Sequence, residues 1–150
     1  MKDCIFCKIV NGEIDSAKVW EDEDFLAILD VKPNTSGMTI VLTKRHYDSY
    51  AFDMPDDIYE KIMLTSKKVA KILEKGLGVK RVVMVMEGMG INHVHIKLYP
   101  LHGLDKKFEE MWSDERKFFA KYEGYVSTQL GPDVAVSELK KLAEKIKKAK

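Results

Sequence analysis

The stretch Gly88-Met89-Gly90-Ile91-Asn92-His93-Val94-His95-Ile96-Lys97-Leu98-Tyr99-Pro100 decides how this chain is read. From Asn92 to Tyr99 it follows the strand period, with Val94, Ile96 and Leu98 alternating with His93, His95, Lys97 and Tyr99. Residues two apart on a strand share a face, so His93, His95 and Lys97 are expected to point the same way. The plain alternative is a half-exposed strand whose polar face happens to hold two histidines. The sharper one is a catalytic or metal-binding face, led in by a Gly88-x-Gly90 that lets backbone approach a phosphate.

Working outward, Arg81–Met86 reads as an apolar strand, and strand, glycine loop, strand makes a hairpin. Upstream, Asp53 to Lys75 is a helix: Ile58, Ile62, Val69, Ile72 and Leu73 recur near the helical period. Asp53 is placed to cap it, Pro55 suits its first turn, and Gly76 and Gly78 end it. Ala17–Glu21, Phe25–Leu29 and Met38–Leu42 read as short strands joined by turn clusters, the pattern of an antiparallel sheet rather than a βαβ alternation. Ile5, Phe6, Ile9 and Val10 have the spacing of one helical turn, closed by Asn11-Gly12. Beyond Pro100, Lys106–Tyr122 looks amphipathic and helical, and Ser137–Lys150 reads as a lysine-rich helix with a solvated face. The expectation is an α+β fold in one domain over residues 1–150, with a core over about 1–100 and a helical extension over 101–150.

Composition narrows the function classes. A formal net charge of +1 argues against a generally basic nucleic-acid binder but leaves room for a small nucleotide, which needs only local charge. No stretch approaches the roughly 20 apolar residues of a membrane span, and the start lacks a signal-peptide run, so a soluble cytoplasmic protein is the default. The two cysteines, Cys4 and Cys7, are spaced Cys-x-x-Cys. In a reducing compartment that spacing suggests metal ligation, with a redox pair or untasked thiols as alternatives. Adding His46 and one of His93 and His95 makes a Cys₂His₂ set, which suits tetrahedral zinc; four protein ligands would make such a site structural.

With Cys4-Ile5-Phe6-Cys7-Lys8-Ile9 near the start, Leu29-Asp30-Val31-Lys32-Pro33 in the middle and His93-Val94-His95 late, the sequence resembles the histidine-triad (HIT) family. The resemblance runs from Met1 to about Pro100. It implies nucleotidyl hydrolase or transferase chemistry on an α+β fold, in a homodimer with strands of both subunits in one sheet. It implies that Cys4, Cys7, His46 and His93 hold structural zinc, that His95 is the nucleophile attacking an α-phosphorus, and that Asp30 binds ribose. Ile5, Phe6, Ile9, Ile28, Leu29, Val31 and Ile40 are similar to the apolar pocket for the base, adenine being the usual one. Asn92, Lys97 and the backbone of Gly88 and Gly90 become the candidate donors to phosphate.

Two positions depart from the family's His-φ-His-φ-His pattern and its flanks: Lys97 stands at the third histidine, and Met38 where many relatives carry one. An ammonium holds phosphate as a point charge but is a poorer proton donor than an imidazolium. Substrates with good leaving groups, such as a dinucleoside polyphosphate, would suffer least. A weakly active nucleotide-binding module, a phosphoramidase, and a small zinc-stabilised redox or scaffold protein are the competing readings. His102, beyond the motif, reads as an exposed loop residue.

Overall fold

The computed structural model describes residues 3–105, 107–127 and 132–135. Five strands form one antiparallel sheet: β1 (Lys18–Glu21), β2 (Phe25–Leu29), β3 (Thr39–Thr43), β4 (Arg81–Val85) and β5 (His95–Leu101), in the order β1-β2-β3-β5-β4. A short helix α1 (Ile5–Val10) precedes them, and a long helix α2 (Asp56–Leu77) lies between β3 and β4. The α+β architecture read from the periodicities is the one observed. Among the described residues no helix is long and apolar enough to cross a membrane.

Register assigns each side chain to a face. Val41 pairs with Ile96 and Ala27 with Val41, and these positions pack with Phe25, Leu98 and the α2 residues Ile62, Val69 and Leu73. On the other face Leu26, Leu42, Ile28 and Ile40 pack against Phe6 and Ile9 of α1. The side chain of His95 lies on this second face, because His95 pairs with Leu42, and so does that of Lys97, which pairs with Ile40. Residues such as Leu26, Leu42, Val41 and Ile96 are fully buried, so a one-residue slip of β5 would exchange its whole polar and apolar sets.

The structure moves several boundaries, most by one residue and those of β5 and α2 by more. Strand β5 begins at His95; His93 precedes it in a bend, where its N–H donates to the Ile91 carbonyl (2.8 Å) and the Val94 N–H to that of Tyr47 (2.9 Å). Helix α2 begins at Asp56 with Pro55 as its cap residue, so Asp53 does not cap it. Pro55 drives Met54 into extended backbone (ψ 151°), and Ala51–Asp53 instead closes a separate 3₁₀ turn. The helix runs through Gly76 and stops at Gly78, in the left-handed region at φ 69°.

The chain divides into two compact units, Met1–Phe108 and Glu109–Lys150. The helix expected over Lys106–Tyr122 is absent from the described residues 107–127, which are bends and irregular chain. Its apolar positions jump from Trp112 to Phe118, so no continuous stripe forms, and Met111, Trp112 and Phe118 are exposed. Around the gap Ser113 competes for the backbone: its hydroxyl accepts the Glu115 N–H (3.2 Å) and its carbonyl accepts from Arg116 (2.7 Å). The helix expected over Ser137–Lys150 lies outside the described residues.

Candidate metal centre and histidine shelf

Four soft or borderline donors converge from three parts of the chain. Helix α1 and its cap residue bring Cys7 and Cys4, the segment after β3 brings His46, and the bend before β5 brings His93; their donor atoms all lie within 4.8 Å of one another. Cys4 Sγ and His93 Nδ1 are 3.4 Å apart, Cys7 Sγ and His46 Nδ1 3.4 Å, and Cys7 Sγ and His93 Nδ1 3.6 Å. Tetrahedral zinc with ordinary bond lengths would put sulfur and nitrogen ligands about 3.6 Å apart, so the spacing fits. The tautomer fits as well. His93 is fully buried, and its Nε2 faces the Thr43 carbonyl at 2.8 Å, so Nε2–H donates there and Nδ1 keeps its lone pair for the cluster. Burial is the main cause pushing the Cys7 thiol up, with Cys4 adding to it, and a bound cation reverses that preference.

The rest of the network clamps the two histidine-bearing segments. The Asn92 side-chain oxygen accepts the Ser49 N–H (2.9 Å), and its amide nitrogen donates to Asp48 (2.9 Å), whose carboxylate is 3.6 Å from His46 Nε2. Both ends of this amide are thus engaged beside the cluster. A groove of about 420 Å³ opens here, lined by Asp3, Cys4, Ile5, His46, Gly90, Ile91 and Asn92; His95 is not among its lining residues.

His95 belongs to a shelf on the α1 face of the sheet. Its Nδ1 lies 2.7 Å from the His93 carbonyl, so Nδ1–H donates to it and Nε2 keeps the free lone pair. The bend at His93 thus supplies the acceptor that fixes the His95 tautomer. Burial, with the Lys97 charge adding, holds His95 below the ordinary histidine pKa, against the opposing pull of the His93 carbonyl, Glu87 and Asp30. The ring is therefore neutral near pH 7. Phe6 packs edge-on against it, with centroids 5.1 Å apart.

Along β5 the same face continues through Lys97 and Tyr99. Lys97 lies between Ile40 of β3 and Val85 of β4, and its ammonium is 3.8 Å from the Glu87 carboxylate. Asp30, just past β2, has its N–H bonded to the Met38 carbonyl (2.9 Å), while its carboxylate accepts the Lys32 N–H (2.8 Å). Continued one step, the β3–β5 register sets Met38 opposite Tyr99.

Of the apolar residues singled out for a base pocket, Phe6, Ile9, Ile28 and Ile40 pack together on this face, and Ile5 is half exposed beside them. Leu29 is not on it: pairing with Thr39 gives it the parity of Ala27, toward the α2 face. Val31 is 92% exposed and joins no cluster. His102 is exposed, with Nε2 2.8 Å from the Ser36 carbonyl. Sequence reasoning passed over Glu87 and Tyr99. Tyr99 was visible in the alternation, and Glu87 is the only acid between β4 and β5.

Residues 11–103 match the family model described as the HIT domain. The chain is 41% identical over 102 residues to an uncharacterized HIT-like protein of Methanocaldococcus jannaschii, covering 65% of this chain and 78% of that one. It is 31% identical over 110 residues to the adenosine 5′-monophosphoramidase of Candida albicans, covering 65% and 69%. Its fold is similar to the crystal structure of SMU.412c from Streptococcus mutans, at 32% identity and a TM-score of 0.70, covering 99% of this chain and 86% of that one.

Gly88 pins the loop between the two sites. Its carbonyl accepts the Ser49 hydroxyl (2.6 Å), its φ is +74°, and an added Cβ would stand 2.8 Å from the Ser49 carbonyl oxygen. Gly90, at φ +86°, has open space around the same position. Urea unfolding is expected to show Gly88→Ala losing about 2–3 kcal/mol and Gly90→Ala about 1 kcal/mol, the difference reporting the backbone clash. Equal losses would mean that Ser49 gives way.

Proposed function

The chain belongs to the histidine-triad (HIT) family, whose members carry out nucleotidyl-histidine hydrolysis and transfer, and from that premise we propose that it cleaves an adenine dinucleotide such as a dinucleoside polyphosphate. The observation that carries this reading is the His95 ring, neutral, oriented through Nδ1–H, with Nε2 bare on the shelf that also bears Lys97 and Asp30. His95 Nε2 attacks the α-phosphorus and the bond to the leaving phosphate oxygen breaks. Water then attacks the same phosphorus, the N–P bond breaks, and the nucleoside monophosphate leaves with the imidazole neutral again. Lys97 and the N–H groups of the Gly88–Gly90 loop neutralise charge developing on the phosphoryl oxygens. Asn92, already clamped to Asp48 and Ser49, contributes by fixing that loop. Asp30 takes the ribose hydroxyls with its carboxylate, and Ile5, Phe6, Ile9, Ile28 and Ile40 wall the base.

Zinc is the ion that the two thiols, two imidazoles and their spacing suit, held by Cys4, Cys7, His46 and His93. With all four positions taken by protein it is structural; bound, it fixes the bend whose carbonyl orients His95. A homodimer in the cytoplasm completes the proposal, and β4, at the sheet edge, is where strands of two subunits could join.

The Candida relative's name makes phosphoramidate cleavage the second reading. Lys97 disfavours it here. An amine leaving group needs a proton in the transition state, and a lysine ammonium is by nature a poorer proton donor than an imidazolium, whereas a polyphosphate leaves without one.

Mass spectrometry after brief mixing with diadenosine tetraphosphate is expected to find an adenylyl adduct on His95, absent from His95→Ala; bound nucleotide with neither adduct nor product would leave a binding module. Turnover of the tetraphosphate should exceed that of adenosine 5′-phosphoramidate by at least about tenfold, with Lys97→His narrowing the gap. Equal or faster phosphoramidate turnover would reverse the assignment of Lys97. The thiols of Cys4 and Cys7 should resist a thiol reagent in the purified protein and react within minutes once zinc is chelated. Immediate reaction, with no zinc found by elemental analysis, would remove the metal from the proposal.

A further inference from the structure

Glu87 is a charged shelf residue that the nucleotidyl reading leaves without a task. In the β4–β5 ladder Val83 faces Tyr99 and Val85 faces Lys97; the ladder ends there, and Glu87 follows two residues beyond the end of β4. Its carboxylate turns along the shelf to Lys97, 3.8 Å away, and the two side chains are only 14% and 26% exposed. The residue that follows is Gly88, whose backbone is pinned to Ser49, so Glu87 projects from a fixed point.

This placement is costly for an enzyme that must seat a phosphate against His95. A carboxylate near enough to act on His95 electrostatically also repels the substrate's phosphoryl oxygens, in a half-buried setting where screening is weak. Lys97, beside Glu87 and two residues along from His95, can neutralise either anion but not both fully.

We propose that Glu87 is the resting counter-ion of Lys97 and gives it up to the incoming phosphates, so that the site selects ligands carrying enough negative charge to take the ammonium away. The proposal rests on the nucleotidyl reading and deepens it by naming the substrate class: nucleotides with two or more phosphates at the reacting end. It gives Glu87 a positioning role, exerted through Lys97. On product departure the carboxylate reclaims the ammonium and helps to expel the anion.

The test is a double-mutant cycle read by calorimetric binding of adenosine 5′-(α,β-methylene)diphosphate, a non-cleavable probe, to the full chain. Glu87→Gln keeps shape and hydrogen-bonding capacity while removing the charge; it should bind about three- to tenfold more tightly than the parent. Lys97→Met should bind several-fold more weakly. Adding Glu87→Gln to Lys97→Met should restore much less than it gains in the parent. An unchanged or weakened affinity in Glu87→Gln, with the thermal midpoint retained, would overturn the inference and leave the nucleotidyl reading standing. The same gain in both backgrounds would reduce Glu87 to simple repulsion and overturn its pairing with Lys97. A parent chain that does not bind the probe would overturn the nucleotidyl reading, and this inference with it. Should Glu87→Gln not fold, Glu87→Asp, with its carboxylate drawn back from Lys97, should tighten binding in the same direction, and no gain would count against the proposal.

Discussion

The pairing of β3 with β5 in one register is the constraint on which the rest of the molecule depends. Val41 against Ile96 and Leu42 against His95 fix which side of β5 is dry and which carries chemistry. The dry side is held by burial: Val41, Ile96, Ile62 and Val69 are fully inaccessible, and losing any one large side chain there costs on the order of 2–5 kcal/mol. On the chemical side Phe6 and the β2 and β3 residues Leu26, Ile28, Ile40 and Leu42 pack beside the histidine. His95, Lys97 and Tyr99 keep their positions because their neighbours in sequence are locked under α2. A histidine that must stay neutral and bare at one nitrogen is therefore placed by apolar residues that never touch substrate.

The bend before β5 adds the second element of control. His93 cannot continue the strand, because the Val94 N–H is taken by Tyr47 and the His93 N–H by Ile91. That departure turns the His93 ring toward Cys4, Cys7 and His46, and leaves its carbonyl pointing at His95. One residue thus serves the metal cluster through its side chain and the nucleophile through its backbone. The cluster joins positions up to 89 apart in sequence, so a cation bound there restrains the unfolded chain as a long-range cross-link would.

Much of this was legible in the sequence, for identifiable reasons. Strand parity read directly from Val94, Ile96 and Leu98, and the metal set was short because the chain has only two cysteines and four histidines to choose from. Helix α2 was plain from its apolar period, but its start was misjudged: Asp53 looks like a cap until Pro55 forces Met54 into extended backbone. Leu29 sits beside Asp30 in sequence yet falls on the opposite face, because a strand separates neighbours that a motif groups together. The Lys106–Tyr122 helix failed for another reason. Its apolar content suggests a helix, but the gap between Trp112 and Phe118 interrupts the stripe and the local hydrogen bonds of Ser113 compete with helical ones.

Glu87 was invisible for a more instructive reason. An acid next to a glycine in a hairpin connection reads as a solvated turn residue, and nothing local distinguishes it. Its meaning comes from the partner strand, where a lysine occupies the place at which the family pattern has a third histidine. A neutral imidazole there would need no counter-ion; a lysine in a half-buried row does, since an unpaired charge at that depth is penalised. The lysine and the glutamate thus make sense as one unit. Together they make a near-neutral pair at rest while keeping a positive charge available, one step along the strand from the nucleophile, for whichever anion competes best for it.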